Sequence, residues 1–221
     1  MIMVTAEVHI LDPGYHRSIL QFYRFASKFL LYTAAPDKTN EDQLITNAAD
    51  KDKIPRAFKC LSEFMILDTI EFSKFALTRS VESFAAGEEL EQILTMLITF
   101  TRYDHYIKNP YVRAKVPDLY TTLIPKSFRD NQRETDLPMA IENLLIKHKA
   151  SQEHLMAAFI DLYIDMEHTG SSHQFYEKFT PRYFIALLFK YLWQFPIYRN
   201  AFVQETNQNS QFVKFFNLML N

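Results

Sequence analysis

Glycine is scarce in this chain, and its scarcity limits the folds that the chain can adopt. Only Gly14, Gly87 and Gly170 occur among 221 residues. Tight β-hairpins depend on glycine or asparagine at positive φ, so a fold assembled from hairpins is disfavoured. Hydrophobic residues make up 48% of the chain, which suffices for a core in a domain of this size. The composition therefore predicts an all-α protein.

Apolar residues recur with helical periodicity along most of the sequence. The clearest example runs from Leu90 to Thr101, after a first turn that carries Glu88, Glu89 and Glu91, where negative charge stabilises a helix. Further helices are predicted at approximately 15–34, 55–78, 138–147, 151–167, 181–193 and 210–220. Helices in series that are apolar on more than one face suggest stacked pairs. We predict one domain over residues 1–221 with the stacked helices of an α-solenoid.

Charge and cysteine content exclude several classes of function. The 24 basic and 26 acidic side chains are mixed along the chain, so no basic block predicts nucleic-acid binding. No apolar run reaches the length of a membrane span, and the start lacks the features of a signal peptide. Cys60 is the only cysteine, predicted to be buried and inert within a helix, and it fits a reducing compartment. The expected location is the cytoplasm and nucleus.

The segment IKNPYVRAKVP, residues 107–117, combines a helix start signal with two cations. Asn109 suits the N-cap and Pro110 the first helical position. Arg113 and Lys115 follow among small apolar residues. Pro117 removes one backbone hydrogen bond about two turns later, so the helix is predicted to bend or end there and a second one to begin. Pro181 and Pro196 are likewise predicted to start helices.

A strip of carboxylates and histidines lies on the helix predicted at 151–167. By helical phase Asp161, Asp165 and His168 could reach one divalent ion, whereas His154 is too far along the helix. The favoured interpretation is a solvated polar face without metal. The sequence has no glycine-rich phosphate loop and no hydrolase motif. No cofactor and no catalytic residue are predicted.

Glu167 lies on the apolar side of the same helix by phase, and a buried carboxylate there requires a partner. Our hypothesis is that Glu167 or Asp165 pairs with a cation such as Arg113, Lys115 or Arg182 and fixes how neighbouring helices stack. The alternative is that these charges reach solvent near helix ends. Gly170 suits the C′ position that ends this helix.

Several blocks, taken in order, resemble one known family. The blocks KNPYVRAK, D-x-E-x-T-G at 165–170 and QFYEKF at 174–179 are the most specific, and HILDPGYHRSILQFYRFASKFLL and FVKFFNLMLN extend the likeness over nearly the whole chain. Together they resemble the core region of the U-box ubiquitin chain elongation factors, the ubiquitin conjugation factors of the fourth enzyme class. Through these blocks Thr169, Phe175 and Phe179 join the candidates for structural or interaction roles.

The resemblance implies a long, curved rod of armadillo-like helical repeats that carries a U-box at its far C-terminal end, with residues 1–221 as part of this longer core. Such factors elongate ubiquitin chains on already ubiquitinated substrates for proteasomal degradation. Their expected partners are an AAA ATPase segregase, proteasome shuttle factors and a ubiquitin-conjugating enzyme recruited by the U-box. The full-length protein is thus expected to be a ubiquitin ligase. This chain contains nothing similar to a U-box and is expected to be a scaffold fragment.

Two other interpretations remain open from the sequence. A helical-repeat adaptor unrelated to ubiquitin would show the same helix pattern. A metal-dependent helical enzyme would use Asp161, Asp165 and His168. An exposed apolar patch is also predicted near Leu218 and Leu220.

Overall fold

The computed structural model describes residues 12–35, 54–81, 88–125, 128, 141, 143–168, 175–208 and 211–220. Within these ranges the chain forms α-helices and no β-strand, so the all-α prediction is confirmed. The helices are α1 (Pro13–Ala34), α2 (Arg56–Lys59), α3 (Phe64–Arg79), α4 (Glu88–Arg102), α5 (Pro110–Thr121), α6 (Leu144–Lys147), α7 (Lys149–His168), α8 (Phe175–Leu192), α9 (Pro196–Gln208) and α10 (Phe212–Leu220). None of these described helices has the length and hydropathy needed to cross a bilayer.

The long helices alternate between two layers. In one layer α4 contacts both α1 and α7, and α7 contacts α9 and α10. In the other layer α5 contacts both α3 and α8. The layers touch through α1 with α3, α4 with α5, and α7 with both α5 and α8. This alternation is compatible with a solenoid, and the armadillo-like repeat itself stays a prediction.

Two pairs of neighbouring helices, α4 with α7 and α3 with α5, run in the same direction. Thr95 of α4 bonds to His148, just before α7, and Arg102 of α4 bonds to His154 in α7. The partners therefore follow the same order along both helices. Glu71 and Lys74 of α3 pair with Lys115 and Asp118 of α5, again in matching order. Parallel equivalent helices are what stacked helical pairs produce.

Helix α7 occupies the centre of the core. Its residues from Leu155 to Ile160 are all buried, as are Leu162, Tyr163 and Ile164. It packs against α4, α5, α6, α8, α9 and α10. A helix that is covered on most of its surface needs apolar residues on more than one face, which explains why its sequence lacks a simple two-faced pattern.

Helix α5 begins where the sequence predicts but does not break at Pro117. The Asn109 side chain accepts a hydrogen bond from the Tyr111 N–H at 3.0 Å, and Pro110 is the first helical residue. The helix continues through Pro117 to Thr121, so the predicted division into two helices is wrong. Pro117 is buried, and packing against α3 and α8 stabilises the helix despite the missing backbone bond.

Pro181 also lies inside a helix. The helix predicted to start there begins at Phe175 and runs to Leu192, so the predicted start is wrong. A proline within the first turns of a helix removes one bond, and the burial of the Pro181 ring provides a compensating apolar contact. Pro196 does begin α9, in agreement with the prediction.

The single helix predicted at 55–78 is divided into α2 and α3. Between them Ser62 Oγ accepts from the Phe64 N–H at 3.3 Å, and such a side-chain acceptor favours a new helix start over continuation. Cys60 lies in this turn and is exposed, so the prediction of a buried cysteine is wrong. At the other end of the stack Leu220 is 72% exposed, whereas Leu218 is packed against the core.

Asn109→Ala is expected to destabilise the protein by about 1 kcal/mol, because the first turn of α5 loses its side-chain acceptor. Urea unfolding followed by circular dichroism measures this loss. Asn109→Asp keeps the acceptor and should stay within about 0.5 kcal/mol of the parent. Asn200→Ala, an exposed change within α9, serves as the control. A loss for Asn109→Ala no larger than for this control would contradict the capping role.

Candidate functional site at the Arg113 joint

Arg113 is a buried cation where α4, α5 and α7 meet. Its side chain rises from α5 and only 5% of the residue is exposed. The Nη2 group donates to Asp165 Oδ2 on α7 at 2.7 Å and to the Thr101 carbonyl at the end of α4 at 3.2 Å. We call Arg113, Asp165 and the Thr101 carbonyl the Arg113 joint. Arg113 with Asp165 is one of the pairings that the sequence hypothesis allowed.

The two partners of the Arg113 joint differ in their environment. The Arg113 side chain is 6% exposed and that of Asp165 is 38% exposed. An unpaired buried guanidinium costs several kcal/mol, whereas a carboxylate at the surface is hydrated without its partner. Among the residues that the structure describes, Arg113 Nε has no hydrogen-bond partner. Loss of this pair therefore costs more when Arg113 is the residue left without a partner than when Asp165 is.

Lys115 lies on the other side of α5 and contacts α3. Its Nζ is 3.1 Å from Glu71 Oε1 and 5.1 Å from the Tyr111 ring centroid. Burial lowers the pKa of Lys115, but Glu71 and Tyr111 outweigh this effect and the net pKa is raised. Lys74 of α3 pairs with Asp118 one turn further along. These half-exposed pairs are weaker than a buried pair, and they align α5 with α3.

The loop before α5 is bound to the start of α3. Glu63 Oε1 accepts from the Lys108 N–H at 2.7 Å and from the Asn109 N–H at 3.3 Å. Charged acceptors make the stronger hydrogen bonds. The first turn of α5 is thus held by Asn109 from within and by Glu63 from the neighbouring helix.

Arg182 contacts α7 through an aromatic ring. Its guanidinium carbon lies 4.9 Å from the ring centroid of Tyr163, a cation–π geometry that links α8 to α7. The acidic partner of Arg113 is Asp165 in this structure. Arg182 and Arg113 therefore attach α8 and α5, respectively, to the same helix.

The remaining predicted residues are placed only in part. Phe179 lies on α8 and is 51% exposed. The side chains of Glu167, His168 and Phe175 lie outside the described residues, as do Thr169 and Gly170 entirely. Their suggested roles, including the helix end at Gly170 and a pairing of Glu167, stay predictions.

The carboxylates of the metal hypothesis face cations. Asp161 and Asp165 line an open cleft of about 350 Å³ that Arg102 and Lys214 also line. The guanidinium of Arg113 occupies one oxygen of Asp165. In the described part of the chain, no three His, Cys, Asp or Glu side chains converge as a metal site would require. This geometry favours an ionic helix contact over a metal centre for Asp165.

A second buried polar cluster is not predicted from the sequence. His148 precedes α7, and its Nε2 lies 2.9 Å from Thr95 Oγ1 of α4 while its Nδ1 lies 2.8 Å from Ser151 Oγ. The Ser151 hydroxyl also interacts with the hydroxyls of Tyr120 and Tyr198. The cluster joins residues that are more than 50 positions apart, so no local motif announces it.

One tautomer of His148 is consistent with the surrounding hydrogen bonds. Thr95 Oγ1 also lies 3.0 Å from the Glu91 carbonyl, and when its proton is on that carbonyl, His148 Nε2 donates to Thr95. Nδ1 then accepts from Ser151. Burial lowers the pKa of His148 to about 4, and the ring is neutral at pH 7. Ser151 is 0% exposed and His148 is 7% exposed, so this pair cannot reach a substrate and serves to hold α4 against α7.

Comparison with known proteins identifies the family. The sequence model described as "Ubiquitin elongating factor core" matches residues 1–221. This chain belongs to that family. The ubiquitin elongating factor core is the region that the ordered sequence blocks resemble, so the family suggested by KNPYVRAK and QFYEKF is confirmed.

Relatives of this core region carry consistent descriptions. A probable ubiquitin conjugation factor E4 of Arabidopsis thaliana is 32% identical over 76% of the chain. The ubiquitin conjugation factor E4 of Schizosaccharomyces pombe is 30% identical over 90% of the chain. The E4 ubiquitin-protein ligase UFD2 of Saccharomyces cerevisiae is 24% identical over 98% of it. The chain spans 15%, 19% and 21% of the length of these relatives, respectively.

A double-mutant cycle on Arg113→Ala and Asp165→Ala tests the joint in this elongating factor core. We expect Asp165→Ala to cost about 3 kcal/mol, because it leaves the buried guanidinium of Arg113 without its carboxylate, and Arg113→Ala to cost less, because the Asp165 that remains is partly hydrated. The double variant should lose about 1 kcal/mol or more less than the sum of the single losses. Urea unfolding measures all four proteins. Strictly additive losses would refute the pairing.

Lys115→Ala provides the matched control on the same helix. Its pair with Glu71 is half-exposed, so we expect a loss of no more than about 1 kcal/mol. A loss from Lys115→Ala as large as that from Asp165→Ala would show that burial of Arg113 is not what gives the joint its strength.

His148 makes the stability of this core depend on pH. The folded pKa is depressed from 6.5 to about 4, so its stabilisation is complete above pH 6.5 and is lost as the pH falls towards 4. The loss amounts to about 3 kcal/mol across this window. His148→Gln should lower the free energy of unfolding at pH 7.5 and flatten its fall between pH 6.5 and 4. Parallel curves for the two proteins, from urea titrations at each pH, would contradict this assignment.

Proposed function

We propose that this chain is a scaffold segment of a ubiquitin conjugation factor that elongates ubiquitin chains on already ubiquitinated substrates for proteasomal degradation. The observation that carries the proposal is the match of the ubiquitin elongating factor core over residues 1–221. The names of the relatives support the same activity. In this proposal the segment holds a substrate or partner at a set distance from a C-terminal U-box.

The geometry of the joint supports a spacer role. Arg113 and Lys115, the cations that stand out in the sequence, contact acidic groups on α7 and α3. Arg182 lies on an aromatic ring of α7. A stack in which each helix contacts only its neighbours is a stiff element that presents extended surfaces. These three cations are used for stacking, and the chemistry of ubiquitin transfer is assigned to other segments.

The wider assembly follows from the same family assignment. A U-box would bind the charged ubiquitin-conjugating enzyme and activate it without a covalent intermediate. An AAA ATPase segregase would supply substrates, and shuttle factors would carry the products to the proteasome. The site of action would be the cytoplasm and nucleus. The names of the relatives support the ubiquitin-related part of this assembly.

Reconstituted ubiquitination with the full-length protein that contains this segment tests the proposal. We expect Arg113→Ala, combined with Asp165→Ala, to shorten the chains formed on a pre-ubiquitinated substrate several-fold. Discharge of ubiquitin from the conjugating enzyme to free lysine should be unchanged, because that step needs only the U-box. Gel analysis of the two reactions distinguishes a defect in positioning the substrate from a defect in ubiquitin transfer.

Arg199→Ala, an exposed change on α9, is the control and should alter neither reaction. Chain formation by residues 1–221 alone would overturn the assignment of the chemistry to another segment. Equal loss of both reactions in a folded double variant would overturn the spacer role. A full-length protein that never extends a ubiquitin chain would refute the proposal as a whole.

A further inference from the structure

The outer face of α1 carries a continuous row of exposed aromatic side chains. Tyr15, Phe22, Phe25, Phe29 and Tyr32 are exposed by 55%, 60%, 69%, 41% and 66%, respectively. We call these five residues the α1 aromatic stripe. The opposite face of the helix, including Leu20, Leu30 and Leu31, is buried. Exposed aromatic residues at this density are unusual on a soluble surface and mark contact sites.

The stripe has the spacing that receives another helix. Its members follow one another at steps of seven, three, four and three residues. Ser18 divides the step of seven, so that the whole row alternates steps of three and four residues. These are the a and d positions of a heptad, from which side chains pack into the gaps of a facing helix. From Tyr15 to Tyr32 the stripe is about 26 Å long, which corresponds to a partner helix of between two and three heptads.

Three cations accompany the stripe, and α1 itself contains no acidic residue. Arg17 and Lys28 are exposed, and the Arg24 side chain is 35% exposed. By helical phase all three lie on the same side of the stripe. Arg24 Nη1 lies 3.6 Å from Glu88 Oε2, a contact in which the Glu88 side chain is 68% exposed. A pair this exposed is weak, so a second carboxylate can take its place.

The size of the stripe suits a single helix. Five aromatic side chains at these exposures present on the order of 500 Å² of surface, at the upper end of what monomers leave open. A standard protein interface buries about 800 Å² on each partner. Together with the flanking cations and the backbone between them, the stripe offers one docked helix a surface close to this area.

We propose that the α1 aromatic stripe is a docking site for an amphipathic helix of a partner protein that carries carboxylates along one edge. Apolar residues of that helix pack among the five rings, and its carboxylates lie along Arg17, Arg24 and Lys28. The one-sided placement of the cations sets the rotation of the bound helix, because only one orientation brings acidic groups beside them. This inference assigns a surface that the proposed ubiquitin function leaves unused, and it holds or fails independently of that function.

Two synthetic helices of three heptads serve as probes. Both carry leucine at a and d; one carries glutamate at e and g, and the other carries lysine there. We expect the glutamate helix to bind the intact chain about tenfold or more tightly than the lysine helix in low salt. The difference should shrink as salt is added, because the flanking charges are exposed. Fluorescence anisotropy of the labelled helices measures both affinities.

Variants on α1 separate the apolar and ionic contributions. Phe22→Ser combined with Phe25→Ser should weaken the glutamate helix about tenfold or more. Arg17→Glu, Arg24→Glu and Lys28→Glu together should reverse the preference in favour of the lysine helix. Tyr183→Ser, which removes an aromatic side chain that is 59% exposed on α8, is the matched control and should change nothing. Circular dichroism establishes that each variant is folded.

Three results would overturn the proposal. The first is the absence of binding by either helix, or equal binding by both. The second is a concentration-dependent dimer that Phe22→Ser with Phe25→Ser abolishes, since the stripe would then bind a second copy of the chain. The third is cosedimentation with phosphatidylserine vesicles that the same double variant removes, since the stripe would then bind an anionic membrane surface.

Discussion

A buried guanidinium sets the geometry of this helical stack. Arg113 reaches out of α5 into a space where water is excluded, and the carboxylate of Asp165 and the carbonyl of Thr101 must therefore be within hydrogen-bonding distance. Three helices from two layers are fixed relative to one another by this requirement. An apolar contact would tolerate sliding by a fraction of a turn, whereas a directional bond at 2.7 Å does not.

The second polar cluster acts on the same helix from its other end. His148 and Ser151 lie at the start of α7 and bond to Thr95 of α4, while Asp165 lies near the end of α7 and reaches the end of α4 through Arg113. Between them Arg102 bonds to His154. Polar contacts at successive positions along α7 fix both the spacing and the direction of two parallel helices.

Local chemistry explains which of these features the sequence could predict. The cap at Asn109 and the periodicity of α4 depend on residues a few positions apart, and both appear in the structure. The predictions for the buried prolines are wrong, because whether Pro117 ends a helix depends on packing by α3 and α8, which lie elsewhere in the chain. Cys60 was misplaced for the related reason that Ser62 starts a new helix. The bond between Thr95 and His148 joins ordinary residues that no motif connects, so only the fold reveals it.

The Arg113 joint and the α1 aromatic stripe lie on different parts of the stack. Among the described residues the side-chain hydrogen bonds of Arg113 reach only α4 and α7, so its loss is expected to weaken one joint and to leave the outer face of α1 unaltered. The aromatic residues of α1 are correspondingly free of the constraints that fix Asp165 or His148, since they contribute little to the core. A surface that is independent of the core can be adapted to a partner without cost to the spacing that the ionic joints maintain. The two proposals therefore place the spacer role and partner recognition on different helices of the stack.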